Sequence, residues 1–216
     1  MKNHKLGASL LSLDFLSLEE KIRELISDGI DFLHIDVMDG NFVPNLSFSA
    51  KFVESIRMIS PEIPIDIHFM VTEKAFFNII SQFTIFKPEF VTVHREAIND
   101  LKYVKEILEK KDIKMGVALN PEIGIDSITD VLDYIDLVLL MSVEAGFGGQ
   151  KFIDNTFKKI KDLSSLKENF LTEVDGGIDL PISLKLKDYG VDLIVVGTSL
   201  INSKDQSGFI NTFKNY

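Results

Sequence analysis

The chain has 216 residues, 45% of them hydrophobic and 26% charged, with a formal net charge of −10 and no cysteine. That length buries a substantial core, and the balance is that of a folded protein rather than a disordered one. Without cysteine there are no disulfides, thiolate nucleophiles or Cys-ligated zinc, and an acidic chain with no Lys/Arg block argues against partners such as nucleic acid or an anionic membrane surface.

In chain order, the opening Met1 to Lys5 leads into an apolar stretch interrupted by Ser9, Ser12 and Asp14, too broken for a signal segment. No run of about 18 apolar residues follows anywhere. The expectation is a cytoplasmic protein. Apolar, β-branched runs then alternate with amphipathic stretches to the end, the mark of repeated βα units on a parallel sheet. Eight strands are predicted: Lys5 to Leu11, Phe32 to Met38, Ile65 to Met70, Phe90 to Val93, Lys114 to Leu119, Leu137 to Ser142, Leu171 to Val174 and Leu193 to Val196.

Between them, Leu18, Ile22, Leu25 and Ile26 recur at helical spacing, as do Leu101, Val104, Ile107 and Leu108. Ser17 and Glu20 have the spacing of a capping box. Asp179 is placed to cap a helix with Pro181 in its first turn, and Gly29 and Gly190 to end helices. No linker or composition shift divides the chain, so one α/β domain over residues 1–216 is expected. Periodicity leaves a closed barrel and an open sheet equally possible. Closure is favoured because every polar or glycine cluster falls just after a strand, where barrel active sites are built.

Three strand ends carry the chemistry. His34 and Asp36 stand two residues apart and so face the same way. Met38 and Asp39 follow at the strand's exit. His68 with Met70, and Asp175 before Gly176-Gly177, end two further strands. A lone His-x-Asp is ordinarily a buried histidine satisfied by its neighbour. Its recurrence beside His68 and Asp175 points instead to two imidazoles and two carboxylates at one point, a ligand set for Zn, with Fe, Mn or Co as alternatives. Two carboxylates from distant strands suit an epimerisation, one removing a proton from carbon and the other returning one on the opposite face. A cation there would polarise the adjacent carbonyl.

Met38, Met70 and Met141 are core fillers or an apolar wall that supplies no protons to the reacting carbons. Gly146, Gly148 and Gly149, then Gly176 and Gly177, then Gly197 with Thr198 and Ser199, follow the sixth, seventh and eighth strands. Singly each is turn chemistry; together they match where barrels hold phosphate on backbone N–H groups. Ser9 offers a hydroxyl to substrate or to backbone. The loop from Asp39 to Asn45 is placed as a lid. His94 reads as structural or supporting rather than as a ligand, and His4 receives no role.

These segments resemble the ribulose-phosphate 3-epimerase family over nearly the whole length: Ala8 to Ser12, His34 to Asn45 (HIDVMDGNFVPN), Ile67 to Val71, Met141 to Gln150 (MSVEAGFGGQ), Glu173 to Gly177 and Val196 to Ser199. The resemblance implies a (β/α)8 TIM barrel that interconverts D-ribulose 5-phosphate and D-xylulose 5-phosphate in the pentose phosphate pathway. It implies one divalent metal per subunit on His34, Asp36, His68 and Asp175, with Asp36 and Asp175 as the catalytic proton carriers at C3. By the same resemblance Ser9, His68, the three methionines and the glycine loops bind the phosphorylated ketose, and the chain forms a homo-oligomer, a dimer or a hexamer. Ala8 and Ala145 stand where the family usually has Pro, Asn41 where it often has His, and Gly197-Thr198 where Gly-Ser is commoner. An allulose-6-phosphate 3-epimerase of the same mechanism is the alternative, disfavoured by Gly176-Gly177. A non-catalytic sugar-phosphate-binding barrel is a remoter one.

Overall fold

A computed structural model describes residues 4–166 and 169–216, so Met1 to Asn3 of the N-terminal stretch lie outside the described residues. Among these, eight strands run in chain order: β1 Lys5–Ser9, β2 Phe32–Met38, β3 Ile65–Met70, β4 Phe90–His94, β5 Lys114–Leu119, β6 Leu137–Met141, β7 Leu171–Asp175 and β8 Leu193–Val196. Each pairs in parallel with the next, and β8 returns to β1. The sheet is closed, a (β/α)8 TIM barrel, which decides between the two architectures that periodicity left open.

Around it lie α1 Leu18–Ser27, α2 Ala50–Ile59, α3 Glu73–Thr84, α4 Leu101–Glu109, α5 Thr156–Ser164, α6 Leu180–Asp188, α7 Thr198–Ile201 and α8 Gln206–Asn215. The β5-to-β6 crossover is not an α-helix; two 3-10 turns, Ile125–Ile128 and Leu132–Tyr134, replace it. Ser127 and Thr129 donate their hydroxyls to the carbonyls of Gly124 and Asp126, local bonds that compete with helix propagation. β8 is instead followed by two helices.

Other boundaries differ for equally local reasons. β1 stops at Ser9, and the chain turns as a 3-10 helix over Leu10–Ser12. The expected capping box is absent: Asp14 accepts from Leu16 N at 2.9 Å and starts a 3-10 turn that feeds straight into α1, so the Ser17 side chain makes no cap bond. Asp179 does cap α6, accepting from Ile182 N at 2.9 Å. Gly29 and Gly190 end their helices at φ +96° and +79°.

Strand alternation divides the interior in two. The outward row, such as Leu33, Ile35 and Val37 on β2 and Ile65, Ile67 and Phe69 on β3, packs beneath the helices in one continuous core. Inside the barrel, Phe32, Phe90, Leu137 and Leu193 close the end where the strands begin. Above that floor the inward positions turn polar: His34, Asp66, Thr92 and Glu173, then Ser9, Asp36, His68, His94 and Asp175. Buried apolar side chains each contribute about 1.5–3 kcal/mol. A polar layer forgoes that gain and is destabilising unless its groups are paired.

Candidate active site

The predicted cluster is assembled. One ligand atom each from His34, Asp36, His68 and Asp175 lies within 4.8 Å of every other. His34 Nε2 is 3.3 Å from Asp36 Oδ1 and 3.8 Å from Asp175 Oδ2, and His68 Nδ1 is 3.1 Å from Asp36 Oδ1. Register explains the meeting, because Asp36 is level with His68 across β2 and β3. Both His34 nitrogens are fully buried without an aligned hydrogen-bond partner. An orphaned lone pair facing two carboxylates and a second imidazole fits a divalent cation with a preference for N and O ligands.

Below this cluster sits a second one: His34 Nδ1 is 2.7 Å from Asp66 Oδ2 and 3.8 Å from Glu173 Oε1, all fully buried. A carboxylate behind a metal-binding imidazole sets which nitrogen carries the proton and how the ring is turned.

The surroundings push the two upper carboxyls in opposite directions. For Asp36 burial favours the neutral acid, but the charge of nearby His34 and the close approach of both imidazoles outweigh it and hold the group well below the ordinary range. For Asp175 burial dominates, and with Asp36 and Asp66 nearby it is pushed up to about 7 against the pull of His34. His34 loses by burial yet is raised by Asp36 and Asp66. Glu173 is raised well above its usual value by burial first and then by Asp66. Carboxyls pushed apart in this way can act as acid and base in one site.

Over the cluster opens a cleft of about 260 Å³, lined among others by Ser9, Asp36, Met38, Met70, Met141, Asp175 and the three glycine loops with Thr198 and Ser199. His34 and His68 do not line it; they stand behind Asp36. Among its described lining residues there is no Lys or Arg, so an anion there would meet backbone N–H groups and hydroxyls. Gly176 and Gly177 have φ of +116° and +64°, and a Cβ on Gly177 would lie 2.5 Å from Phe152 N. Ser12 and Thr198 place their hydroxyl oxygens 2.8 Å apart at the far wall.

A family model for the "Ribulose-phosphate 3 epimerase family" matches residues 5–201. The chain belongs to that family. Ribulose-phosphate 3-epimerase of Helicobacter pylori strain 26695 is 38% identical over 98% of this chain and 97% of its own, and that of Bacillus subtilis 35% over 97% and 98%. The Arabidopsis thaliana chloroplastic ribulose-5-phosphate-3-epimerase is 35% identical over 95% of this chain and 74% of its own. Among solved structures, 3-hexulose-6-phosphate synthase from Salmonella typhimurium superposes at TM-score 0.75 with 16% identity over 98% of this chain and 97% of its own. KGPDC from Streptococcus mutans does so at 0.74 with 18% over 99% and 97%; both likenesses concern the fold. The protein is an enzyme of the epimerase kind.

Several side chains of this epimerase are committed in ways the sequence left open. Ser9 donates to Asp36 Oδ2 at 3.0 Å, so its hydroxyl serves the carboxylate. Ser199 donates to Ile178 O at 2.6 Å, which leaves its backbone N–H for the cleft. The Asp39–Asn45 loop is tied down: Asp39 accepts from Asn41 N, Phe42 N and both Thr72 donors, and Asn45 donates to Gly146 O at 2.8 Å. Ala145 N reaches Asn120 Oδ1 at 3.4 Å, a restraint that proline could not make. Asp66, Glu173, Glu96 and Ser142 were missed. The first two lie two residues before His68 and Asp175, so period-two alternation alone would have found them. Ser142, whose hydroxyl lies 2.8 and 2.6 Å from the carbonyls of Asp175 and Gly176, carries no such signal.

Proposed function

We propose that the barrel interconverts D-ribulose 5-phosphate and D-xylulose 5-phosphate, with Asp36 and Asp175 exchanging the proton at C3. The observation that carries this reading is the meeting of these two carboxyls at the floor of one cleft, where their surroundings push their acidities in opposite directions. The relatives' names support a ribulose phosphate as substrate and epimerisation at its position 3. One carboxylate takes the C3 proton from one face of the ketose; the other, as its acid, returns a proton to the opposite face, and the roles exchange in the reverse direction. His34, Asp36, His68 and Asp175 would hold a divalent metal, zinc first among Zn, Fe, Mn and Co. That cation would supply Lewis-acid polarisation of the ketose carbonyl and offset the charge that develops on the enediolate.

Met38, Met70 and Met141 wall the reacting carbons with groups that exchange no protons. Gly146, Gly148, Gly149, Gly176, Gly177, Gly197, Thr198 and Ser199 receive the phosphate through backbone N–H groups and the Thr198 hydroxyl. We place the enzyme in the cytoplasm, as a homo-oligomer; among the described residues no helix is long and apolar enough to cross a membrane. The test is turnover of the pentulose and of allulose 6-phosphate in D2O by metal-loaded protein. Preference for the pentulose with deuterium at C3 is expected. Preference for the hexulose would move the substrate, and no deuterium in either would leave a binding barrel.

A further inference from the structure

Behind His68 a second histidine and a glutamate continue the polar line away from the cleft. His68 Nε2 is 2.9 Å from His94 Nε2, and His94 Nδ1 is 3.0 Å from Glu96 Oε1. The two imidazoles stack with centroids 4.9 Å apart, both fully buried, and Phe42 covers His94 at 4.8 Å. The Glu96 carboxylate is also addressed by the backbone N–H groups of Glu96 and Asn120.

The bond order along this line follows from donor counting, and it rests on the reading that His68 is a metal ligand. His68 turns Nδ1 toward Asp36 and the cluster, so a ligand lone pair there puts the only proton of the neutral ring on Nε2. The facing His94 Nε2 must then be a lone pair, which places the His94 proton on Nδ1, opposite a carboxylate that only accepts. Every nitrogen is satisfied in one direction, from His68 through His94 to Glu96. We infer that His94 and Glu96 are positioning residues, which fix the tautomer and ring orientation of His68 and thereby the metal affinity of the site. His34 is backed by Asp66 directly; His68 is backed by Glu96 at one remove.

The prediction is read first in the Zn-loaded protein with 15N-labelled histidine. His68 should carry its proton on Nε2 and His94 on Nδ1; a His94 protonated on Nε2 alone would overturn the inference. Second, Co(II) affinity is measured by competition with a chromophoric chelator. Glu96→Ala, at a partly exposed position, and His94→Phe should each weaken binding about 10- to 100-fold. Glu96→Gln, whose amide oxygen still accepts from Nδ1–H, should restore most of it. Unchanged affinity in folded Glu96→Ala removes the role even if His94→Phe does not fold. If instead His68→Ala binds Co(II) as tightly as the parent, the ligand assignment itself has failed, a result distinct from equal affinity in the Glu96 and His94 variants alone.

Discussion

Asp175 shows how much one strand end can concentrate. Its carboxyl is buried against Asp36 and Asp66, its peptide carbonyl is gripped by Ser142, and Gly176 follows at a φ that only glycine adopts easily. Asparagine at 175 keeps the shape and loses the proton. Asp175→Asn is therefore expected to fold with an unchanged circular dichroism spectrum and to lose C3 exchange by about 10²-fold or more, the usual range for a removed acid or base. Exchange within a few-fold of the parent would take Asp175 out of the reaction. Ser9 is a subtler case, because its donation to Asp36 Oδ2 helps keep that group a carboxylate. Its part is to hold the state of Asp36.

The loops after β6, β7 and β8 separate two uses of glycine. At Gly177 a Cβ would strike the backbone at Phe152 N and Gln150 O, so Gly177→Ala must move the Gln150–Phe152 backbone; a loss of about 2 kcal/mol or more is expected. Gly190→Ala, with a similar φ of +79° and open space around it, should cost only about 1 kcal/mol, which makes it the control in the same denaturation series. Gly148 has ordinary backbone, and its nearest neighbours are the Ser12 and Thr198 hydroxyls at 3.2 and 3.5 Å. Gly148→Val should fold and raise KM for the sugar phosphate with a smaller effect on kcat; an unchanged KM would put the phosphate elsewhere. The strands were legible within about two residues because β-branched runs end at polar or glycine signals. Where local bonds compete, the Ser17 capping box gives way to Asp14, and the helix expected of a repeated βα unit is replaced across Ile125–Ile128 by a 3-10 turn. His34, Asp36, His68 and Asp175 were readable from alternation, since two same-facing residues at a strand end need no tertiary information. Closure of the barrel, the commitment of Ser9 and Ser199, and the line from His68 to Glu96 depend on which strands become neighbours, and no local pattern carries that.

At the scale of the molecule, the barrel holds four carboxyls and three imidazoles where apolar layers would be more stable. Without a cation this interior should make stability depend on pH in a definite direction. Asp175 at about 7, Glu173 raised well above its ordinary value, and His34 raised by Asp36 and Asp66 all bind protons more tightly in the folded chain than in the unfolded one. Folding stability from these groups is present at low pH and lost as pH rises through their folded values. Asp36, held low, has already contributed in full above about pH 5, and among the described residues His94, lowered by burial, works the other way near neutrality. Between pH 5.5 and 8 Asp175 alone accounts for on the order of 2 kcal/mol. In a domain of this size that is roughly 4–8 °C of melting temperature. Calorimetry of chelator-treated protein should therefore show Tm falling over that range. Saturation with Zn(II) should reverse the trend, because a cation binds the deprotonated ligands and the gap between loaded and stripped protein widens as pH rises. A stripped protein whose Tm is level or climbs from pH 5.5 to 8 would mean that the interior carboxyls ionise without penalty, and the electrostatic basis for one acid and one base at the floor of the cleft would be lost.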